Sequence, residues 1–300
     1  MRTLVAVAGV VSGLASAVLF ACSSASSEAT PQPEGGVDGA TSSNAGPRGD
    51  ASDDDAGLRD LGGIFAISDS ITVDGGLRGL HRAGAFFTHP DGIDTTTTAK
   101  TVGPCLVETI GNGNAPGETD FSAGALHITG GAKTIDLVPN AQKAYDPVSG
   151  STSLWSGGEM LTVAAEGKDV PAFTVSLVAP SKLTMTAPAL PKGATNLSVM
   201  RSAPFSATWT GASSGQVVLY FDAATGANAF SATCTFEASA LKAEVPAAAF
   251  ADFPAQDGTF NFYVKQAAVA SPSGWTVRFT ASSAIVDPTG ASATGYAAFK

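Results

Sequence analysis

Hydrophobic and polar residues alternate along several stretches in the second half of the chain. In PFSATWTG, residues 204–211, the side chains of Phe205, Ala207 and Trp209 occupy every second position, with serine or threonine between them. The segments AFSATCTFE at 229–237 and GWTVRFTA at 274–281 repeat the pattern. Because the side chains of a β-strand point alternately to its two faces, this alternation predicts half-buried strands in antiparallel sheets.

Residues typical of turns separate the alternating stretches. They include Asp-Gly-Gly at 74–76, Gly-Gly at 130–131, Ala-Ser-Ser-Gly at 212–215 and Asp-Gly at 257–258. Helical periodicity is nearly missing, and the best helical candidate is the short segment VPAAAFADF at 245–253. Many short strands between turns that contain glycine or proline predict an all-β fold, built as a sandwich or a barrel.

Prolines at positions 180, 188 and 191 divide the predicted strands into two groups. The sequence therefore predicts two antiparallel β-sandwich domains, an N-terminal β domain over 61–179 and an immunoglobulin-like sandwich over 180–300. The Cys–Trp–Cys framework of true immunoglobulin domains is not present, so the prediction concerns the architecture alone. A single larger sandwich that spans both segments is the alternative.

The first 21 residues have the organisation of a secretory signal peptide. Arg2 precedes the uncharged run from Leu4 to Phe20, and small residues follow near its end. The run is diluted by glycine and serine, whereas a membrane-spanning helix needs about 20 predominantly apolar residues. A retained N-terminal anchor helix is therefore the less favoured interpretation.

The segment 22–60 is acidic and almost without large apolar residues. From Ser23 to Asp60 it contains eight acidic and two basic residues, which gives −6 of the total net charge of −10. Such a composition buries too little apolar surface to offset the entropy lost on ordering, so we predict a disordered linker. A flexible chain of this length spans about 31–37 Å on average.

The segment Leu19-Phe20-Ala21-Cys22 resembles the lipobox of bacterial lipoproteins. The resemblance implies cleavage before Cys22, acylation of its thiol and new amino group, and a lipid anchor in the cell envelope. Ser23 follows the cysteine where aspartate would indicate retention in the inner membrane, which favours the outer membrane, with the protein facing the cell surface or the periplasm. An ordinary signal peptide with a chance cysteine is the alternative.

The whole layout, a lipobox followed by an acidic linker and β domains rich in alanine and threonine, resembles many uncharacterised lipoproteins of myxobacteria and their relatives. The resemblance rests on the order of the segments and on their amino-acid composition over the full chain. It implies no particular activity.

Two groups of polar residues are candidate sites. The first is a cluster in GGLRGLHRAGAFFTHPDGID at 75–94, which would suit a hydrolytic or metal-dependent centre, although a solvated loop is the favoured interpretation. Its members are His81, Arg82, His89, Asp91 and Asp94. The second group offers oxygen ligands for a weak calcium site, although a turn rich in glycine and asparagine would look the same. Its members are Asn112, Asn114, Glu118 and Asp120.

Other candidates have a structural alternative that competes with the functional one. Cys105 and Cys234 are either a disulfide, as an oxidising compartment allows, or two buried thiols. The sequence GASSG at 211–215 matches the GxSxG motif of serine hydrolases but lies between two predicted strands, which favours a hairpin turn.

Trp155 is either a loop residue that stacks on a sugar or a core residue. His127 alternates with Leu126 and Ile128 and should face solvent.

Composition narrows the functional classes. The chain carries 16 Lys and Arg against 26 Asp and Glu, which argues against nucleic acid as a partner, and no glycine-rich phosphate loop is visible between a strand and a helix. We therefore expect a non-enzymatic binding, adhesion or structural module, held at the membrane by its lipid, with an unknown protein or glycan ligand. No cofactor is expected, apart from possible calcium. The alternative is a secreted-type hydrolase or metal-dependent enzyme that uses the region from His81 to Asp94.

Overall fold

The described part of the chain is built from β-strands. The structure, a computed structural model, describes residues 60–68, 81–88, 97–111, 121–150, 152–191, 196–226 and 228–300. Within these ranges the first nine strands are β1 Asp60–Ser68, β2 His81–Thr88, β3 Thr97–Val102, β4 Cys105–Ile110, β5 Leu126–Thr129, β6 Ile135–Leu137, β7 Val148–Gly150, β8 Met160–Ala165 and β9 Phe173–Val178. The next nine are β10 Leu183–Ala187, β11 Leu197–Val199, β12 Phe205–Thr210, β13 Gln216–Thr225, β14 Asn228–Glu237, β15 Lys242–Val245, β16 Asp257–Ala270, β17 Trp275–Val286 and β18 Thr294–Phe299.

The all-β prediction is confirmed. The described residues contain no α-helix, and the two short 3-10 helices cover Ala238–Ala240 and Ala247–Phe250. The second of these lies within the helical candidate 245–253, which is reduced to a single turn between β15 and β16. None of the described segments is a helix long and apolar enough to cross a bilayer.

The alternation seen in the sequence matches the burial of the strands. In β12, Phe205, Ala207 and Trp209 are buried and the residues between them are more exposed. In β17, Trp275 and Val277 are buried at the start of the strand in the same way. The side chains on the buried face supply the hydrophobic free energy of these strands, about 1.5–3 kcal/mol for each large apolar side chain.

The strands form two sheets. The larger sheet has the order β15-β12-β10-β17-β16-β13-β14-β4-β3. In addition, β1 pairs with β17 and β18 pairs with β16. The smaller has the order β6-β5-β8-β9. Most pairs are antiparallel, and the parallel ones among the described strands are β1 with β17, β10 with β17 and β11 with β18. This stacked arrangement is consistent with a β-sandwich.

The strands enclose two hydrophobic cores: one lies between the two sheets, and the other is enclosed by strands of the larger sheet alone. The N-terminal core is formed by β2, β5, β6, β8 and β9, together with Trp275, Val277 and Phe279 from the first half of β17. The C-terminal core is formed mainly by β10 to β18, together with Cys105 and Val107 from β4. Each core thus takes residues from the other side of the predicted boundary at residue 180.

Strand pairing also crosses that boundary. The β1 strand pairs with β17, β4 pairs with β14, and the long β16–β17 hairpin serves both cores. The described residues belong to one compact unit. The predicted division is therefore visible in the two cores but not in the sheets, which favours the alternative of one larger sandwich.

Candidate binding face

Most of the predicted site residues lie outside the described ranges. These are Cys22, the calcium candidates Asn112, Asn114, Glu118 and Asp120, and His89, Asp91 and Asp94 of the polar cluster. His81 and Arg82 are described, in β2, where His81 is buried and Arg82 is exposed. Because consecutive strand residues point to opposite faces, these two side chains do not converge on one site.

The GxSxG sequence forms a loop between two strands, as predicted, but it is not a hairpin, because β12 and β13 do not pair with each other. Ser213 Oγ accepts a hydrogen bond from Ser181 N at 2.9 Å and donates to Ser214 O at 3.1 Å. Gly215 has φ +95°, and a Cβ there would lie 2.2 Å from the Lys265 carbonyl oxygen. Ser213 therefore fixes the loop, and Gly215 allows its backbone to pass close to β16.

Trp155 is a core residue, 3 % exposed. Its Nε1 donates to Pro180 O at 3.1 Å and to Ser283 Oγ at 2.9 Å, and Ser283 Oγ donates to Pro180 O at 2.7 Å. The interpretation as an exposed sugar-stacking residue is therefore wrong. The indole instead joins the segment after β7 to the segment after β9 and to β17.

Cys105 and Cys234 form a disulfide between β4 and β14, where the two residues lie directly opposite each other. Both are fully buried against the C-terminal core. Of the two alternatives that the sequence left open, the structure contains the bond. It links strands on either side of residue 180.

His127 lies on the solvent side of β5, as predicted, between two carboxylates. Its Nδ1 is 2.7 Å from Asp136 Oδ1 in the adjacent β6, and its Nε2 is 3.6 Å from Glu166 Oε1. The hydrogen bond to Asp136, with a smaller contribution from Glu166, raises the pKa of His127 above its ordinary value. The imidazole is therefore favoured in its charged form.

We expect this arrangement to make the folded state more stable at lower pH. The contribution is fully present below about pH 6.5, the unfolded-state pKa of histidine, and disappears as pH rises through the higher folded-state pKa. Titration of the His127 ring signals by NMR should show the raised pKa in the native protein and a value close to the ordinary one in Asp136→Asn. An unchanged midpoint in that variant would contradict this assignment.

The outer face of β14, β13 and β16 carries a set of polar side chains in register. The inner face of the same strands packs into the C-terminal core through residues such as Leu219, Phe221 and Phe262. The outer face, called here the polar sheet face, has four rows across the three strands: Ser231, Asp222 and Thr259; Thr233, Tyr220 and Asn261; Thr235, Val218 and Tyr263; and Glu237, Gln216 and Lys265. Val218 is its one apolar, fully buried member.

Carboxylates lie at one end of the polar sheet face. Glu108 in β4 lies beside Ser231, whose Oγ donates to Glu108 Oε2 at 3.5 Å. Thr259 Oγ1 donates to Asp222 Oδ1. Partial burial raises the pKa of both carboxyl groups above their ordinary values. The two side chains are hydrogen-bond acceptors held in place by neighbouring hydroxyls.

Tyrosines occupy the middle of the face, and a lysine lies at the other end. Burial raises the pKa of Tyr220 to about 12 and the pKa of Tyr263 to about 12, so both phenols keep their protons at neutral pH. Burial also lowers the pKa of Lys265, and the charge of Arg278 adds to this effect. The face therefore has two carboxylates at one end, and a lysine and the carboxylate of Glu237 at the other.

The polar sheet face was readable in the sequence, but only in part. In QVVLYFDA at 216–223, Tyr220 and Asp222 alternate with apolar residues, and in FNFYVK at 260–265 Asn261, Tyr263 and Lys265 do the same. Alternation alone assigns these side chains to the solvent side of two strands. It does not indicate that the two strands are neighbours, which is what brings the side chains together.

The face offers hydroxyl, amide, phenol, carboxylate and ammonium groups on a rigid sheet. Side chains held on strands are better positioned than those on loops, and such groups can make several hydrogen bonds to one ligand. Among the described residues, no three His, Cys, Asp or Glu side chains lie close enough together to hold a metal ion. A comparison with models of protein families gives no match, and a search of the curated proteins finds none that matches the chain.

Proposed function

We propose that the chain is a lipid-anchored protein of the bacterial cell envelope that binds a partner through its polar sheet face and catalyses no reaction. The observation that carries the binding role is the register of β14, β13 and β16, which aligns four rows of side chains, nearly all polar, on one surface. The partner is a protein or a glycan.

The anchor in this proposal is Cys22. Its support is the segment Leu19-Phe20-Ala21-Cys22, which resembles a lipobox, and the acidic composition of residues 23–60 that follows. The acidic segment would act as a linker that holds the β-strands away from the membrane. In the same proposal the β-sandwich is immunoglobulin-like in architecture, and the membrane is the outer membrane.

We expect Cys22→Ala to release the protein from the membrane. Each buried methylene of an acyl chain contributes about 0.8 kcal/mol to membrane binding, so two or more chains give stable anchoring. A protein without acyl chains lacks this anchor. Fractionation of cells that express the native protein, Cys22→Ala or the control Ser23→Ala checks this. The native protein and Ser23→Ala should sediment with the membranes, while Cys22→Ala should be soluble.

A Cys22→Ala variant that stays in the membrane fraction would contradict lipid anchoring and support a retained N-terminal helix. Protease treatment of intact cells then shows which side the anchored protein faces. Cleavage on intact cells places the polar sheet face outside the cell. Cleavage only after the outer membrane has been opened places it in the periplasm.

A further inference from the structure

An open cleft of about 370 Å³, called here the cavity, lies at the Lys265 end of the polar sheet face. It forms because β13 begins at Gln216, opposite Lys265, whereas β16 continues beyond this pair to Ala270. The step between the two strands is closed on one side by the loop that ends at Gly215. The lining residues are Gly215, Gln216, Glu237, Lys265, Gln266 and Ala267.

Lys265 is a partly buried cation without a countercharge. Its ammonium group has no hydrogen bond or ion pair with any described residue, although other lysines of the described part do, such as Lys100 with Asp252 and Lys143 with Asp169. Arg278 on the adjacent β17 adds a second positive charge in its vicinity. Buried charges in proteins are usually paired, so this end of the cavity suits an anion.

The opposite side of the cavity has the opposite character. Across the sheet the order is Glu237, Gln216, Lys265, so the amide of Gln216 separates the carboxylate from the ammonium group. Gln216 Nε2 donates to Glu237 Oε1 at 3.5 Å. A simple inorganic anion would use only the lysine side and would be repelled by Glu237. A ligand with a carboxylate and several hydroxyl groups would use both sides.

We propose that this cavity binds an acidic sugar, a hexuronic acid residue of a glycan, with its carboxylate on Lys265 and its hydroxyl groups on Gln216 and Glu237. The inference rests on the proposed binding role of the polar sheet face. Neighbouring sugars of the glycan lie on the exposed side of the cavity, beside Gln216 and Glu237, because Val218 in the next row is fully buried. The amide and carboxylate groups there supply donors and acceptors for further sugar hydroxyls.

The test is a titration of the full-length protein in detergent with D-glucuronate and, separately, D-glucose. A single sugar should bind with a dissociation constant on the order of 1 mM, and glucose at least about tenfold more weakly. Lys265→Met removes the charged hydrogen bond and should weaken glucuronate binding at least about tenfold. Lys168→Met removes an exposed lysine elsewhere and should leave binding unchanged.

Three results would overturn the inference. Equal binding of glucose and glucuronate, with no effect of Lys265→Met, would contradict the carboxylate assignment but leave a binding role of the face intact. Equal competition by inorganic phosphate would make the cavity a general anion site. If neither sugar binds, the proposal that the cavity binds a glycan is wrong. The lipid anchor is tested independently, by fractionation of Cys22→Ala. Unchanged thermal unfolding of Lys265→Met shows that the variant is folded.

Discussion

Replacement of both Cys105 and Cys234 by alanine should lower the free energy of unfolding by up to about 5 kcal/mol. The disulfide closes a loop with a sequence separation of 129 residues, and in the chain-entropy model the stabilisation grows with the length of the closed loop. Both residues are buried and lie opposite each other in β4 and β14, so the native strands already hold them together. The bond therefore acts mainly on the unfolded chain.

Urea unfolding of the double variant and of the native protein, each with and without reductant, checks this prediction. The native protein should lose stability on reduction, whereas the double variant should not respond to the reductant. Equal unfolding midpoints for the oxidised native protein and the double variant would contradict a stabilising role of the bond.

Replacement of Trp155 by alanine should cost about 3–5 kcal/mol, as expected for a buried tryptophan. The substitution leaves a cavity in the N-terminal core and removes the indole donor from Pro180 O and Ser283 Oγ. Trp155→Phe is the matched control, because it keeps most of the apolar volume and loses the donor. It should cost less than Trp155→Ala, about 0.5–1.5 kcal/mol for each lost hydrogen bond, because Ser283 Oγ still donates to Pro180 O.

The shape of the unfolding transition gives this experiment a second use. Because β17 contributes to both cores, Trp155→Ala should shift a single cooperative transition rather than one of two. Calorimetry of the native protein and the variant measures this. Two separate transitions, with only one displaced by the substitution, would support two independent domains divided near residue 180.

The strands were predictable from the sequence where one face is buried. The alternation of Phe205, Ala207 and Trp209 with hydroxyl residues is enough to place β12, because a strand with one buried face repeats every two residues. The partners of each strand were not predictable. The β1–β17 pair joins residues more than two hundred positions apart, and no local pattern specifies such a register.

Two local predictions were overridden by contacts with other parts of the chain. Asp257-Gly258 looks like a turn but begins β16, where a Cβ on Gly258 would lie 2.1 Å from the Asp222 carbonyl oxygen. The glycine there permits a close approach of β13, rather than a change of direction. The segment 245–253 looks helical, but its side chains Phe250 and Phe253 are drawn into the C-terminal core.

The sequence predicts which side chains of the candidate site point outward from each strand. It does not predict that these side chains form one surface. The outward position of Tyr220 and Lys265 follows from alternation in β13 and β16. Their assembly into one face depends on the pairing of these strands. The cavity depends on the end of β16, which extends beyond Gln216, the first residue of β13. Both are features of the tertiary structure.

Mass spectrometry of the mature N-terminus decides whether the strands are displayed from a lipid anchor at Cys22. The protein is extracted from membranes into detergent, digested, and its N-terminal peptide is measured. We expect a chain that begins at Cys22 and carries acyl chains on its thiol and amino group. A peptide that begins elsewhere, or an unmodified Cys22, would contradict it.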